Sequence, residues 1–429
     1  MRVLVVGATG LIGSAAAARL VSLGHTVIAV VRVNDRAARR LPTAETIVVD
    51  LQQATEPEAW RPHLAGVDAV VNCAGLLQAS HGALRKVHGE AVGALFAACE
   101  ATGVRRVVHV SAIGVEREAA SDFSETKLVG DRALMARDLD WVILRPSVVV
   151  GRAAYGGSAL FRALARLPVV PLIKAAGPVD AVQLDDVSET IASMLSANAP
   201  ARIVLELVGP ERLSFEDLIF TYRRWLGIDN RWAVRVPDWL VAAACRVADF
   251  AGWLGWRPPM RSNARRELAH GSVGDAAAWI KTTGIRPKSL AEALAGEPDS
   301  VQEHWFANLY LVKPVAFAIL AGYWIVTGIV ALGPGWDGGR HLIEAAGFGG
   351  LTAPAIVVGS VVDIIIGLAI VVRRSARAGL YAALAVSAFY ILAATVLVPR
   401  LWIDPLGPLL KIVPIIALNL VCLAILGDR

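Results

Sequence analysis

Arg2-Val3-Leu4-Val5-Val6, followed at once by Gly7-Ala8-Thr9-Gly10-Leu11-Ile12-Gly13, decides how the chain begins to fold. An apolar run with no polar alternation reads as a short strand buried on both faces. The glycines read as the turn into a helix. Gly7 permits the tight turn, Gly10 lets the backbone approach a pyrophosphate, and Gly13 lets the helix pack close to the sheet. A helix opening at Leu11 turns free N–H groups and the positive end of its dipole toward phosphates. Strand before and helix after are what give the motif weight, and they predict a dinucleotide cradle at Gly7, Thr9, Gly10, Leu11, Ile12 and Gly13. The same apolar run is too short for the h-region of a signal peptide, so no leader is expected.

Outward from this start, short Val-rich runs alternate with Ala-rich stretches. Strands are predicted near 2–6, 26–31, 46–49, 68–72, 106–110 and 141–145, and helices near 11–23, 82–101 and 124–137. This alternation predicts an α/β, Rossmann-type, doubly wound parallel sheet over residues 1–150. From 151 to 298 the chain is punctuated by Val170-Pro171, Gly177-Pro178, Gly209-Pro210 and Pro258-Pro259. Helices are expected near 186–197 and 214–226. This part reads as a small substrate lobe carrying the remaining sheet elements. Its tryptophans are Trp225, Trp232, Trp239, Trp253 and Trp256. The stretch 238–256 reads either as a packed lobe helix or as a helix lying at a membrane surface.

Residues 299–429 have a different character. An amphipathic lead-in with Trp305, Phe306 and Tyr310 precedes four apolar stretches near 311–332, 352–372, 378–398 and 408–426. Each is close to the roughly 20 residues that a spanning helix needs, so a four-helix transmembrane domain is expected. Arg373, Arg374 and Arg377 lie between the second and third stretches. The positive-inside rule puts that loop, both chain ends and the nucleotide domain in the cytoplasm, with the chain in a bacterial-type inner membrane. Asp363 falls mid-span, where a carboxylate costs about 2.5–3.5 kcal/mol and needs partners. Asn419 and Tyr390 fall at a similar depth, so a polar cluster of the three is expected. It serves as interhelical glue or as a proton or quinone site. Gly359 and Gly367 permit close helix approach.

Hydrophobic residues make up 55% of the 429-residue chain and charged ones 18%, and the net charge is +5. No basic run interleaved with aromatics follows a groove-sized stretch, which argues against a nucleic-acid partner. Cys73, Cys99, Cys245 and Cys422 are scattered, so neither a disulfide framework nor a metal site is expected. The bilayer is the expected partner.

The second strand bears on the choice of nucleotide. An acid at its end would hold a ribose 2′-hydroxyl, but this chain has Val31-Arg32. Arg32, with Arg36 nearby, suits a 2′-phosphate, so NADP(H) is expected over NAD(H). Asp50 reads as an adenine contact or as a turn aspartate.

GATGLIG (7–13), VVDLQ (48–52), NCAG (72–75), HVSAIG (109–114), RPSVVVG (145–151) and VQLDDV (182–187) occur in an order that resembles an atypical or extended short-chain dehydrogenase/reductase. The branch most resembled contains the nucleotide-binding accessory subunit of mitochondrial complex I. WFANLYLVKP (305–314) and WIDPLGPLLKIVP (402–414) resemble a DoxX-like membrane domain. The resemblance implies cofactor contacts at Asp50, Leu51, Ala74, Gly75, Lys127, Pro146 and Val149, and a catalytic set of Ser, Tyr and Lys. Ser111 and Lys127 match that set. The Tyr position, four residues before the Lys, is Phe123, which has no proton to give. Three readings follow. Ser124, Asp122 or Tyr155 substitutes for the Tyr; or the hydride acceptor is flavin- or quinone-like and needs no Tyr; or the domain binds nucleotide without turnover. The chain is expected to be a membrane-anchored NAD(P)H oxidoreductase for a lipophilic or quinone-like substrate. The alternative is a non-catalytic assembly or sensing protein of a membrane complex.

Overall fold

A computed structural model describes residues 1–32, 41, 45–118 and 121–427. It contains two compact units, Met1–Arg246 with Pro259–Ala307, and Val247–Pro258 with Asn308–Arg429.

In the first unit the strands are β1 Arg2–Val6, β2 Thr26–Val31, β3 Glu45–Val48, β4 Ala69–Asn72, β5 Arg106–Val110, β6 Asp140–Pro146, β7 Val149–Val150, β8 Val170–Ile173, β9 Val182–Gln183, β10 Ile203–Leu207 and β11 Ala233–Val236. Among the described residues, seven of them form a parallel sheet in the order β10-β6-β5-β4-β1-β2-β3. The order reverses between β1 and β4, and ligands of open α/β sheets bind outside the strand ends at such a switch point. The sequence-based strands agree with these to within about two residues. β10 is the added edge, supplied from beyond residue 150.

The helices are α1 Leu11–Ser22, α2 His81–Arg85, α3 Ala91–Thr102, α4 Asp122–Met135, α5 Gly157–Arg166, α6 Leu184–Ser193, α7 Phe215–Trp225, α8 Asp238–Trp253, α9 Ser262–His270, α10 Ala277–Thr283 and α11 Leu290–Ala295. α8 runs on into the second unit. The single helix expected over 82–101 is interrupted by a π-turn at Lys86–Glu90. That turn carries His88, in keeping with the frequency of π-bulges at functional sites.

Alternation along the strands builds two cores. Val3, Val5, Ala29, Val71, Val108 and Leu144 face one side, where Trp279 is fully buried. Leu4, Val6, Ile28, Val70, Val107 and Ile143 face the other, where Trp60 is fully buried. Both indole N–H groups are satisfied: Trp279 Nε1 donates to Thr190 Oγ1 at 2.9 Å and Trp60 Nε1 donates to Ala54 O at 3.0 Å. Truncating either ring to Ala would cost about 3–5 kcal/mol. α1 buries Gly13, Ala16, Ala17 and Leu20, spaced by three or four residues, against the first core.

The second unit is helical, with α12 Val301–Leu332 from Asn308 onward, α13 Trp336–Ala345, α14 Thr352–Val371, α15 Ala376–Leu397 and α16 Ile412–Ile425. All four expected apolar stretches are helical. Among the described residues, three helices are long and apolar enough to cross a membrane, and α16 is shorter. Its 14 residues rise about 21 Å. α12 begins at Val301, so the amphipathic aromatic lead-in forms the first turns of this helix. α13 is an additional element that the apolar pattern does not reveal.

Helix contacts here depend on small residues. A Cβ on Gly328 would lie 2.5 Å from Ser360 O, and one on Gly367 would lie 2.5 Å from Ile325 Cγ1. The expected polar cluster is partly formed. Tyr390 Oη donates to Asp363 Oδ1 at 3.1 Å, and Asp363 is buried. Asn419 is not bonded to them; its Nδ2 donates to Leu380 O at 3.2 Å. Equal depth does not imply an equal face of the helix, and Asn419 instead ties α16 to the backbone of α15.

Candidate active site

At the sheet's switch point Gly7 has φ +76°, a left-handed conformation that favours glycine. A Cβ there would come within 2.8 Å of the Cys73 carbonyl and Ala74 N. The first turn of α1 is closed by Gly10 N donating to Gly7 O at 2.9 Å. A Cβ on Gly13 would lie 2.2 Å from Gly7 O, so helix and strand meet with no room for a side chain. Gly10 caps α1 without a side-chain hydrogen bond, and the first turn contains no acid. The N–H groups of Leu11, Ile12 and Gly13 are therefore left for an anion. Thr9 flanks this turn. A dinucleotide pyrophosphate fits these residues, since the cradle lies where a Cβ would intrude.

Arg32 follows β2 directly and is exposed. Arg36 lies outside the described residues. Asp50 follows the end of β3, where Val49 N bonds Val31 O at 3.0 Å. Asp50 Oδ1 accepts from Gln52 N at 3.0 Å, and Asp50 O accepts from Gln53 and Ala54. Its carboxylate therefore shapes a turn beside Arg32, while Leu51 packs on the second core.

The carboxyl ends of β4 and β5 are braced by a buried polar network. Asn72 Oδ1 accepts from Ala74 N at 3.1 Å, and Asn72 Nδ2 donates to His109 Nδ1 at 2.9 Å. His109 Nε2 lies 3.4 Å from Asp131 Oδ1. Arg145 Nε and Nη2 donate to Asp131 Oδ2 at 3.1 and 3.0 Å, and Arg145 also bonds Glu116. Burial pushes the His109 imidazole down, so it stays neutral. Burial works to raise the Asp131 carboxyl, but His109, Ser111 and Arg145 outweigh it and hold it below its ordinary value. Ser111 N donates to Leu144 O at 2.7 Å, and its buried hydroxyl stands near Asp131 without a well-formed hydrogen bond.

Lys127 is buried on α4. Its ammonium donates to Ala74 O at 3.0 Å and Val110 O at 2.9 Å. Burial lowers its pKa to about 8, against the pull of Asp131. Among the described residues the third N–H has no acceptor, which leaves a donor for a nucleotide ribose. A Cβ on Gly75 would lie 3.5 Å from Lys127 Nζ, so the NCAG loop and this lysine are in contact. Burial pushes the Cys73 thiol up to about 12, which rules it out as a thiolate nucleophile. Pro146 ends β6, and Val149 pairs with Val182.

Phe123 occupies the second position of α4, its ring edge to face with His88, centroids 5.5 Å apart. Leu76 N donates to His88 Nε2 at 2.9 Å, and His88 Nδ1 bonds Thr126 Oγ1 at 2.9 Å. Burial drives His88 down to about 2, helped by the Lys127 charge, so the ring is neutral and Nδ1 carries the proton.

Of the possible stand-ins for the missing Tyr, Ser124 Oγ donates to Glu267 Oε1 at 2.9 Å, and Ser121 Oγ bonds the same oxygen. Asp122 faces His81 at 3.8 Å. Tyr155 lies before α5, its backbone N bonded to Ser158 Oγ at 3.0 Å. Sequence reasoning missed His88, His109, Asp131 and Glu267. Glu267 lies over 140 residues from the serines it meets, and no local spacing signals that approach. The segment before it closes over the NCAG loop: Gln78 Nε2 bonds Pro259 O, and Arg261 Nη1 donates to Gln78 O at 3.3 Å.

Comparison with known proteins agrees with this geometry. A family described as NAD(P)H-binding matches residues 7–163, and the DoxX-like family matches residues 321–420. The photosystem II assembly factor Ycf39 of Synechocystis is 29% identical over 145 residues, 34% of this chain and 44% of that protein. The ceramide reductase of Caulobacter vibrioides is 24% identical over 216 residues, 50% of this chain and 68% of that protein. Among solved structures, the UDP-glucose 4-epimerase of Thermotoga maritima with UDP-glucose superposes with a TM-score of 0.53 at 19% identity, over 68% of this chain and 96% of that one. The WbmG enzyme of Bordetella bronchiseptica with NAD and UDP gives 0.54 at 15% identity, over 72% and 96%. These structures share the fold. The chain spans less than half of the Synechocystis relative's length.

Proposed function

We propose that this chain, an NAD(P)-binding Rossmann domain of short-chain-dehydrogenase type joined to a DoxX-like membrane domain, is a membrane-bound NAD(P)H oxidoreductase acting on a lipophilic or quinone-like molecule. The observation that carries the reading is Lys127, held between Ala74 O and Val110 O with one ammonium N–H to spare, while Phe123 stands where a proton-donating Tyr would be. Bound NAD(P)H supplies a hydride. Gly7 to Gly13 hold the phosphates, Lys127 orients the ribose, and Arg32 receives a 2′-phosphate, which favours NADP(H).

An acceptor that takes its proton from elsewhere needs no Tyr. A quinone-like ring meets this requirement, because its reduced oxygens can be protonated from water. The Caulobacter relative is named for reduction of a ceramide, which supports a lipid-soluble substrate. Residues 1–150 are assigned to nucleotide binding, 151–298 to the substrate lobe and 299–429 to the membrane. Arg373, Arg374 and Arg377, read by the positive-inside rule, support a cytoplasmic position for their loop, on the side where NADPH is available.

A second reading, nucleotide binding without turnover in assembly of a membrane complex, draws on Phe123 and on the assembly role in the Synechocystis relative's name. Mixing purified protein, NADPH and a short-chain quinone separates the two. Loss of absorbance of the reduced nucleotide supports the oxidoreductase. Tight NADPH binding without oxidation by quinones, flavins or lipid ketones supports the assembly role.

A further inference from the structure

Residues Val247–Pro258 belong to the helical unit and contain an unpartnered aromatic face. Val247, Phe250 and Trp253 are 69%, 61% and 78% exposed, and their spacing of three puts them along one side of α8. The Phe250 and Trp253 rings are stacked, with centroids 5.8 Å apart and 26° between planes. Such a contiguous apolar surface marks a site of contact with something apolar.

The next residues fix what that partner is. Arg373 N donates to Leu254 O at 3.0 Å, and Trp256 Nε1 donates to Val371 O at 2.7 Å. The Trp256 ring meets Phe317 with centroids 4.9 Å apart, and the Arg373 guanidinium lies 5.5 Å over that ring. Arg373 Nη2 donates onward to Leu426 O at 2.9 Å. Val371 is the last residue of α14, so Leu254 and Trp256 are pinned to the end of a span, at the level of a bilayer surface. Exposed Arg257, Arg374 and Arg377 flank this level, as they would beside lipid headgroups. Trp is favoured at that depth because its ring is apolar and its N–H is polar.

We propose that Val247, Phe250 and Trp253 lie in the headgroup layer of the bilayer, as an in-plane anchor on the surface that carries Arg373 to Arg377. The proposal rests on the helical unit being membrane-inserted. The test uses full-length protein in nanodiscs of phosphatidylcholine and phosphatidylglycerol, with tryptophan quenching by lipids carrying a nitroxide near the headgroup, and separately by aqueous iodide. Trp253→Phe should remove about one tryptophan's share of the nitroxide quenching and leave iodide quenching unchanged. Phe250→Trp, a second reporter that keeps Trp253, should add nitroxide-quenched emission. If Trp253→Phe instead lowers iodide quenching alone, or Phe250→Trp adds emission quenched only by iodide, the anchor is overturned. If nitroxides at the chain centre quench nothing in the parent protein, insertion itself fails and the anchor fails with it.

Discussion

Phe123 and His88 meet edge to face with ring centroids 5.5 Å apart, so the position to which the proposed reading assigns a catalytic phenol is engaged with a buried, neutral imidazole. On the proposed reading, Lys127 stands for the lysine of a short-chain dehydrogenase, and the acid is replaced by Phe123. Phe123→Tyr adds one oxygen four residues before Lys127 and leaves the ring's size unchanged. It should give at least a tenfold gain in NADPH-dependent reduction of a simple ketone, measured as nucleotide absorbance, because a positioned general acid contributes about 10²–10⁴-fold. Unchanged ketone reduction with unchanged NADPH affinity would show that the substrate carbonyl never reaches this place.

His88 gives the site a distinct acid sensitivity. Folded His88 stays unprotonated down to about 2, whereas the unfolded residue takes up a proton near its ordinary value of about 6.5. Its stabilising contribution is therefore complete above about 6.5 and is lost as the pH falls below it. The slope approaches about 1.4 kcal/mol per pH unit for one such group. His109 is depressed in the same sense. Denaturation curves at pH 7 and 5 should show clear loss of stability at the lower pH, before carboxylate protonation contributes. His88→Gln should be less stable at pH 7, because Leu76 N and Thr126 lose a partner. It should also show a shallower acid slope, and an identical slope would remove His88 from the explanation.

The contrast between these groups and the glycine run shows what the sequence makes legible. Gly7 to Gly13, the apolar strands and the four apolar helices are local patterns, and their burial follows from composition and period alone. Phe123 is also legible, as a departure from a pattern four residues long. His88 is different, because its role depends on a π-turn and on Leu76 and Thr126 approaching from opposite sides. Glu267 reaches Ser121 and Ser124 only through the path of the chain from 259 to 267. Asn419, expected beside Asp363 from depth along its helix, bonds Leu380 O instead. Depth can be counted along a helix, whereas the facing side depends on how the helices pack.

Nucleotide choice is testable at a single residue. Arg32 stands exposed directly after β2, at the position where an acid would hold a ribose 2′-hydroxyl. Arg32→Ala should weaken NADPH binding by about tenfold or more, as expected for loss of a charge-assisted contact of about 1.5–3 kcal/mol. NADH binding should change by less than about twofold. Isothermal titration with each nucleotide measures this, and equal losses would mean that Arg32 does not read the 2′-phosphate.

Asp363 is buried mid-helix and accepts from Tyr390 Oη at 3.1 Å. A carboxylate at that depth is retained because it is bonded to another helix, and interhelical bonds of this kind contribute about 0.6–2 kcal/mol. Asp363→Asn keeps an oxygen acceptor of the same size and should preserve expression, melting temperature in detergent and NADPH oxidation. Asp363→Ala removes the acceptor, leaves Tyr390 Oη unpaired in an apolar bundle, and should lower the melting temperature. The two variants separate glue from proton chemistry, since only the Asn substitution removes the titratable group while keeping the bond. If Asp363→Asn melts like the parent but stops NADPH oxidation, the carboxyl carries a proton in turnover, and Tyr390 is its partner in that step rather than in packing alone.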